Sequence, residues 1–132
     1  MIWMSKNMSQ RTELLDFSRT LLGAVADCPF EDDLDTTVIR HGMEGKWFGL
    51  FMKVSGKHLG RETTERFDVL NLKIDPEESY IVREMYPVSI LPAYHMNKRH
   101  WISIILDGSV PLDFCEFLIG KSYDLTKPKR KK

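Results

Sequence analysis

The stretch Phe67-Asp68-Val69-Leu70-Asn71-Leu72-Lys73-Ile74-Asp75-Pro76-Glu77-Glu78 holds a strand, its end and a helix start within twelve residues. From Asp68 to Ile74 the side chains alternate at period two. Leu70, Leu72 and Ile74 belong to one face and Val69, Asn71 and Lys73 to the other. The pattern predicts one buried face, with Asn71 and Lys73 offered to solvent or a partner. Asp75 then reads as an N-cap, Pro76 as the first helical residue and Glu78 as the far side of a capping box. The helix is expected to run to about Tyr86, burying Ile81, Val82 and Met85, and to stop at Pro87.

Upstream, Leu14, Leu15, Phe17, Leu21 and Leu22 recur at helical spacing, with Val25 one turn on. They predict an amphipathic helix over 8–22, with Ser9 as its N-cap and Gly23 as its stop. Short strands follow over 36–40 and 46–54, separated by a turn at Gly42 and Gly45. The polar segment 55–66 reads as a long hairpin connection. Downstream, Pro87 and Pro92 bracket an extended connection, 101–106 reads as a strand, and a last helix over about 112–121 buries Phe114, Cys115, Phe117, Leu118 and Ile119. Hairpin-linked strands imply antiparallel pairing with helices gathered on one face. The expected fold class is therefore α+β, a two-layer sandwich.

A chain of 132 residues supports one domain, taken as 1–126, followed by a basic, disordered tail over 127–132. No apolar run approaches membrane-spanning length, and the N-terminus lacks the pattern of a signal peptide. The two cysteines, Cys28 and Cys115, are far apart and in no metal-binding spacing, which fits a reducing cytoplasm with both thiols buried. The net charge of zero conceals an asymmetry, because the last six residues carry five cations and leave 14 basic against 19 acidic residues in the body. A body charge of −5 excludes binding to DNA by bulk electrostatics, so any such role needs a local patch or the tail.

One local patch stands out. Tyr94-His95-Met96-Asn97-Lys98-Arg99-His100-Trp101 packs two histidines, two cations, an amide and an indole between a proline-rich approach and an apolar run. In a nucleic-acid reading, Arg99 and Lys73 meet phosphates and Asn97 meets a phosphate or base edge, with His95 or His100 in support. Lys129 and Arg130 of the tail add phosphate contacts. In the structural reading, Lys98 and Arg99 pair with carboxylates while Asn97 satisfies a turn. Arg83 is expected in an ion pair with Glu78 or Glu84, or on a loop carbonyl. Trp101 reads as core. Of Trp47 and Phe48, one should be buried and the other free to stack on a base or a protein partner. Ser122 and Tyr123 are expected to tie the last helix to the 95–98 loop.

Catalysis finds little support. No nucleophile–base arrangement is suggested, and Gly42 and Gly45 make a turn rather than a phosphate loop. The acidic run Glu31, Asp32, Asp33 and Asp35 lacks the alternation and turn glycine of a calcium-binding loop. The expectation is a protein without catalytic activity, metal or cofactor.

Several of these stretches together resemble the MmcQ/YjbR family of small bacterial proteins. They are Leu70 to Pro76, Val82-Arg83-Glu84-Met85-Tyr86-Pro87-Val88, His95 to Trp101 and Ser122-Tyr123-Asp124-Leu125, with Pro29-Phe30 and Gly45-Lys46-Trp47-Phe48 upstream. The resemblance covers roughly residues 8–126. It implies a frataxin-like (CyaY-like) fold and a DNA-binding role through a "double wing" of strands and loops. The first seven residues and the cationic tail lie outside the pattern. The expected protein is a cytoplasmic, DNA-binding accessory or regulatory factor using Lys73, His95, Asn97, Lys98, Arg99, His100, Lys129 and Arg130. The alternative is a protein-interaction module in which the 95–101 segment is a structural brace.

Overall fold

The computed structural model describes residues 10–128. In chain order the elements are α1 (Gln10–Arg19), β1 (Ala24–Asp27), β2 (Thr37–His41), β3 (Trp47–Ser55), a 3₁₀ turn (Gly56–Leu59), β4 (Arg66–Lys73), α2 (Pro76–Met85), β5 (Ile90–Pro92), β6 (Trp101–Ile105) and α3 (Leu112–Thr126). The six strands form one antiparallel sheet in the order β1-β2-β3-β4-β6-β5. The three helices pack on one of its faces, as the α+β expectation required. Leu14 of α1, Val82 of α2 and Cys115, Leu118 and Ile119 of α3 meet Leu70, Leu72, Ile102 and Ile104 of the sheet. Burial pushes the Cys115 thiol up to about 12, with Asp113 and Glu116 adding to the shift.

The alternation of β4 holds for Leu70, Leu72 and Ile74, all in the helix-side core. The opposite face is not the open surface expected of it. Val38, Leu50, Met52, Val54, Val69 and Ile105 form a second apolar cluster there, packed against Trp47, Phe67, Leu91, Tyr94 and Met96. Asn71, expected at solvent, is fully buried. The segment after β5 folds back over it and supplies the partners that a buried amide needs.

Other expectations give way to tertiary context. Met8, the predicted start of α1, and Ser9, its predicted N-cap, lie outside the described residues. The helix stops at Arg19, and Thr20 and Leu21 donate to carbonyls only three residues back, a tightening last turn. Gly23 follows at φ +76°, which reverses the chain into β1, so Val25 pairs with Arg40 and Leu22 stands 89% exposed. The 55–66 connection contains a 3₁₀ turn capped by the Ser55 hydroxyl, and part of the 87–92 connection is edge strand β5. Asp75 is the N-cap of α2 in position only; its side chain makes no capping hydrogen bond. Ile81 and Met85 are 55% and 53% exposed and Phe117 is 58% exposed, against the expectation that all three are core. Cys28 is also exposed, its thiol 3.5 Å from the Thr37 hydroxyl.

Trp47 and Phe48 divide as expected, through a bulge. Ile39 opposes Gly49 and Arg40 opposes Trp47, so Phe48 is an extra residue on β3. It turns to the helix side and is fully buried, while Trp47 remains half-buried with Phe30 edge-on at 6.0 Å. A Cβ at Gly49, beside the bulge, would lie 2.7 Å from the end of the Ile39 side chain, so a larger residue there forces that side chain to shift.

Candidate nucleic-acid interface

The candidate residues gather where β4 ends and β6 begins. Lys73 lies directly opposite Trp101 in the register, and the Ile74 amide donates to the His100 carbonyl at 2.9 Å. The turn that carries the remaining candidates is built from its own side chains. Asn97 Oδ1 accepts from the backbone N–H of Arg99 at 2.8 Å and of His100 at 3.2 Å, the local bonding that suits Asn to turns. Lys98 Nζ donates to the Ala93 carbonyl at 2.8 Å across the base of the loop. Arg99 is exposed, and among the described residues its guanidinium has no acceptor. The turn therefore points Arg99 outward from a fixed backbone.

His95 is placed apart from these residues. It has φ +66°, the sole non-glycine residue with positive φ among those described, and its ring lies 4.0 Å from that of Tyr94. The two rings line an open groove of about 680 Å³ on the helix-free face, floored by Leu50 and Met52. Its opposite wall is Phe30, Glu31, Asp32 and Asp33. Those carboxylates repel a phosphate backbone, so the groove and the Lys73–Arg99 end are electrostatically distinct. Asp33 is spent locally, accepting from the Thr36 hydroxyl at 2.5 Å and the Asp35 amide at 3.1 Å. Among the described residues no three His, Cys, Asp or Glu side chains converge as metal ligands. Lys129 and Arg130 lie outside the described residues.

Beneath the turn is a polar network that alternation alone did not reveal. Asn71 Nδ2 donates to the Tyr94 carbonyl at 3.0 Å, Ser103 Oγ donates to Asn71 Oδ1 at 2.5 Å, and the Tyr94 amide donates to Ser103 Oγ at 2.9 Å. The available signal was two polar residues at central positions of two apolar strands, Asn71 and Ser103. In the register they are direct neighbours.

Ser122 forms a second lock. The pair after Gly49–Leu72 in the β3–β4 ladder would be Phe48–Lys73, but the ladder ends before it, beside the bulge. The Ser122 hydroxyl fills the gap, donating to the Phe48 carbonyl at 2.6 Å and accepting from the Lys73 N–H at 3.0 Å. It is a rung inserted into the sheet by α3. The expected tie from Ser122 and Tyr123 to the 95–98 loop is thus corrected. Ser122 holds β3 and β4, and the Tyr123 hydroxyl donates to the Leu22 carbonyl at 2.5 Å. Both residues lie inside α3, which runs a full turn beyond its predicted end. Arg83 likewise departs from its expected ion pair, donating to the Ser79 hydroxyl at 3.1 Å, while Glu78 pairs with Lys121.

A family model described as YjbR matches residues 19–125, which include every element of this site among the described residues. The chain belongs to the YjbR family. Within the family it is similar to protein YyaQ of Bacillus subtilis, at 38% identity over 91% of this chain and 100% of that one. A Pseudomonas syringae protein of known crystal structure superposes with a TM-score of 0.81 at 34% identity, covering 89% of this chain and 98% of that chain. A Deinococcus radiodurans protein gives a TM-score of 0.74 at 29% identity, over 95% and 83% respectively. The YjbR resemblance carried by the 95–101 and 122–125 stretches thus rests on two different pieces of architecture, a solvent-facing turn and an inserted ladder rung. No helix among the described residues is long and apolar enough to cross a membrane.

Proposed function

We propose that this YjbR protein binds nucleic acid, DNA foremost, through the sheet end formed by Lys73, Asn97, Lys98, Arg99 and His100. The carrying observation is a difference in charge pairing. Eight cations of the described residues, from Arg11 to Lys127, each have a carboxylate within 4.0 Å. Six described cations, Lys46, Lys57, Lys73, Arg83, Lys98 and Arg99, lie outside those pairs, and Lys73, Lys98 and Arg99 of them lie at the one end of the sheet where β4 ends and β6 begins. Lys98 is braced on the Ala93 carbonyl, and Arg99, held by a fixed turn with no acceptor among the described residues, suits phosphate oxygens. The Asn97 carboxamide oxygen is occupied by the turn, which leaves its NH₂ as a donor to phosphate. Lys129 and Arg130 supply further charge. With about four to six phosphates neutralised, log affinity falls against log salt with a slope of about −4 to −5.

The alternative partner is a protein, met by the edge-on pair of Phe30 and Trp47 beside the acidic groove. Fluorescence anisotropy with a labelled random duplex at two salt concentrations separates the readings. The comparison uses the full chain, a chain ending at Pro128, and a Lys73→Glu/Arg99→Glu variant whose fold is checked by circular dichroism. Salt-sensitive binding that survives truncation and is lost in the variant supports the sheet end. Binding lost with the tail alone reduces the interaction to polycation attraction, and no binding by any form sinks the DNA reading.

A further inference from the structure

Trp101 opens a strand that is otherwise fully buried, yet it is not core as its sequence position suggested. The indole is half-buried, while Ile102, Ser103, Ile104 and Ile105 after it have no exposure at all. Among the described residues Trp101 belongs to neither apolar cluster, and no second ring or cation stands against its indole.

Its neighbours on the sheet explain the opening. Ile102 and Ile104 belong to the helix-side core and Ile105 to the opposite cluster, so alternation places Trp101 on the helix-free face. Lys73 lies directly across from it on β4. The Ile74 amide donates to the His100 carbonyl and the Leu106 amide to the Asp68 carbonyl, both at 2.9 Å, which marks these as the hydrogen-bonded pairs of the ladder. Lys73 and Trp101 are therefore a non-hydrogen-bonded pair, with Cα atoms about 4.5 Å apart and side chains at their closest. Both leave the sheet side by side. On the other flank the Trp101 carbonyl accepts from the Ala93 amide at 3.3 Å, and a methyl group does not cover an indole. Arg99 is two residues back, within about 7 Å along the chain.

A cation beside an uncovered ring matches an unpaired nucleotide, whose phosphate meets the charge while its base lies on the ring. In a duplex each base already has its faces stacked on its neighbours, so it reaches such a ring only by leaving the stack. Trp47 is the contrasting indole. It packs on the helix-free cluster, holds Phe30 edge-on at 6.0 Å, and Phe30 continues into the wall of Glu31, Asp32 and Asp33. Of the two described indoles, Trp101 is the one paired across strands with a cation that lacks a carboxylate partner.

Resting on the nucleic-acid reading above, we propose that Trp101 is a base-stacking platform and that the sheet end takes single-stranded nucleic acid, with Lys73 and Arg99 on the flanking phosphates. The test is fluorescence anisotropy on the full chain with a labelled oligothymidylate and a labelled duplex of the same length. The single strand is expected to bind more tightly. Trp101→Leu weakens single-strand binding by about 5- to 100-fold, the loss of one base stack, and moves duplex binding by less than about twofold. Trp101→Phe keeps a ring and retains most of the affinity, and Trp47→Phe changes neither ligand. In a chain carrying Trp3→Phe and Trp47→Phe, Trp101 is the sole indole, and its fluorescence is quenched by the single strand and not by the duplex. Should Trp101→Leu fail the circular dichroism check, that quenching decides. Equal loss of both ligands in Trp101→Leu, loss of neither, or no quenching overturns the stacking and leaves the phosphate contacts of Lys73 and Arg99 standing. No binding of either ligand by the full chain sinks both readings together.

Discussion

Asn71 and Asn97 serve the same loop from its two sides, and the contrast between them separates what holds this protein together from what it presents. Asn71 is fully buried, with both ends of its amide bonded across strands to Tyr94 and Ser103. Asn97 is exposed, and its oxygen serves two neighbouring backbone amides while its nitrogen faces outward. The side chain is the same. Burial decides the consequence, because a polar group removed from a dry network leaves its partners with nothing, whereas one removed from a wet turn leaves them with water. Lys98 and Arg99 repeat the contrast on a smaller scale, one braced on a carbonyl and the other unpaired.

The largest way to break the buried side is Ser122→Ala or Asn71→Ala. Each takes a hydrogen bond from two partners, at least one of them only half-buried, and each is expected to cost about 1–3 kcal/mol of unfolding free energy in urea. A loss below about 1 kcal/mol for both would dissolve the distinction drawn here. Lys98→Ala removes one charged hydrogen bond at a solvent-exposed site and should cost about 1 kcal/mol. A smaller effect comes from His41, which lies between the rings of Phe48 and Tyr123 at 5.0 and 4.6 Å, with Nε2 2.8 Å from the Thr126 hydroxyl. Burial holds its pKa below the usual 6.5, assisted by the Lys127 ammonium and against a backbone hydrogen bond with Tyr123. The unfolded chain thus binds the proton more readily than the folded one. Stability from this group is full above the unfolded value and is lost as pH falls through it toward the folded value. NMR titration should find the His41 midpoint on the acid side of 6.5, and His41→Gln should flatten the corresponding pH dependence of stability; an unshifted midpoint would contradict this. Arg99→Ala sits at the bottom of the scale for stability, within about 0.5 kcal/mol. In the DNA titration it is expected to lower the salt slope by about one unit, which a purely structural turn residue would not do.

Much of this was legible in the chain. The alternation over 68–74 and the Asp75-Pro76 break locate β4 and the start of α2 to within a residue, because side-chain period and proline geometry are local properties. The chemistry of the 95–101 segment was legible for the same reason, since Asn is a turn residue and the two adjacent cations are carried in sequence. What failed were statements about what covers what. Ile81, Met85 and Phe117 have core periodicity, yet periodicity reports a face and not its neighbour. Asn71 looked solvent-facing because a strand's second face is closed here by a loop more than twenty residues later in sequence. Ser122 could be singled out as a motif residue, but its role depends on a bulge at Phe48 in another strand.

The sequence by itself determined the α+β class, the positions of most elements and the cluster of amide and cations at the sheet end. These follow from hydrophobic period, turn chemistry and backbone restriction, all of which act within a few residues. Only the tertiary structure decided that Asn71 is inside and Asn97 outside, that Ser122 completes a ladder it does not belong to, and that Lys73 joins Arg99 at one end of the sheet. Those outcomes depend on register and on long-range covering, which set the solvent exposure of each polar group and so whether it acts as a support or as a contact.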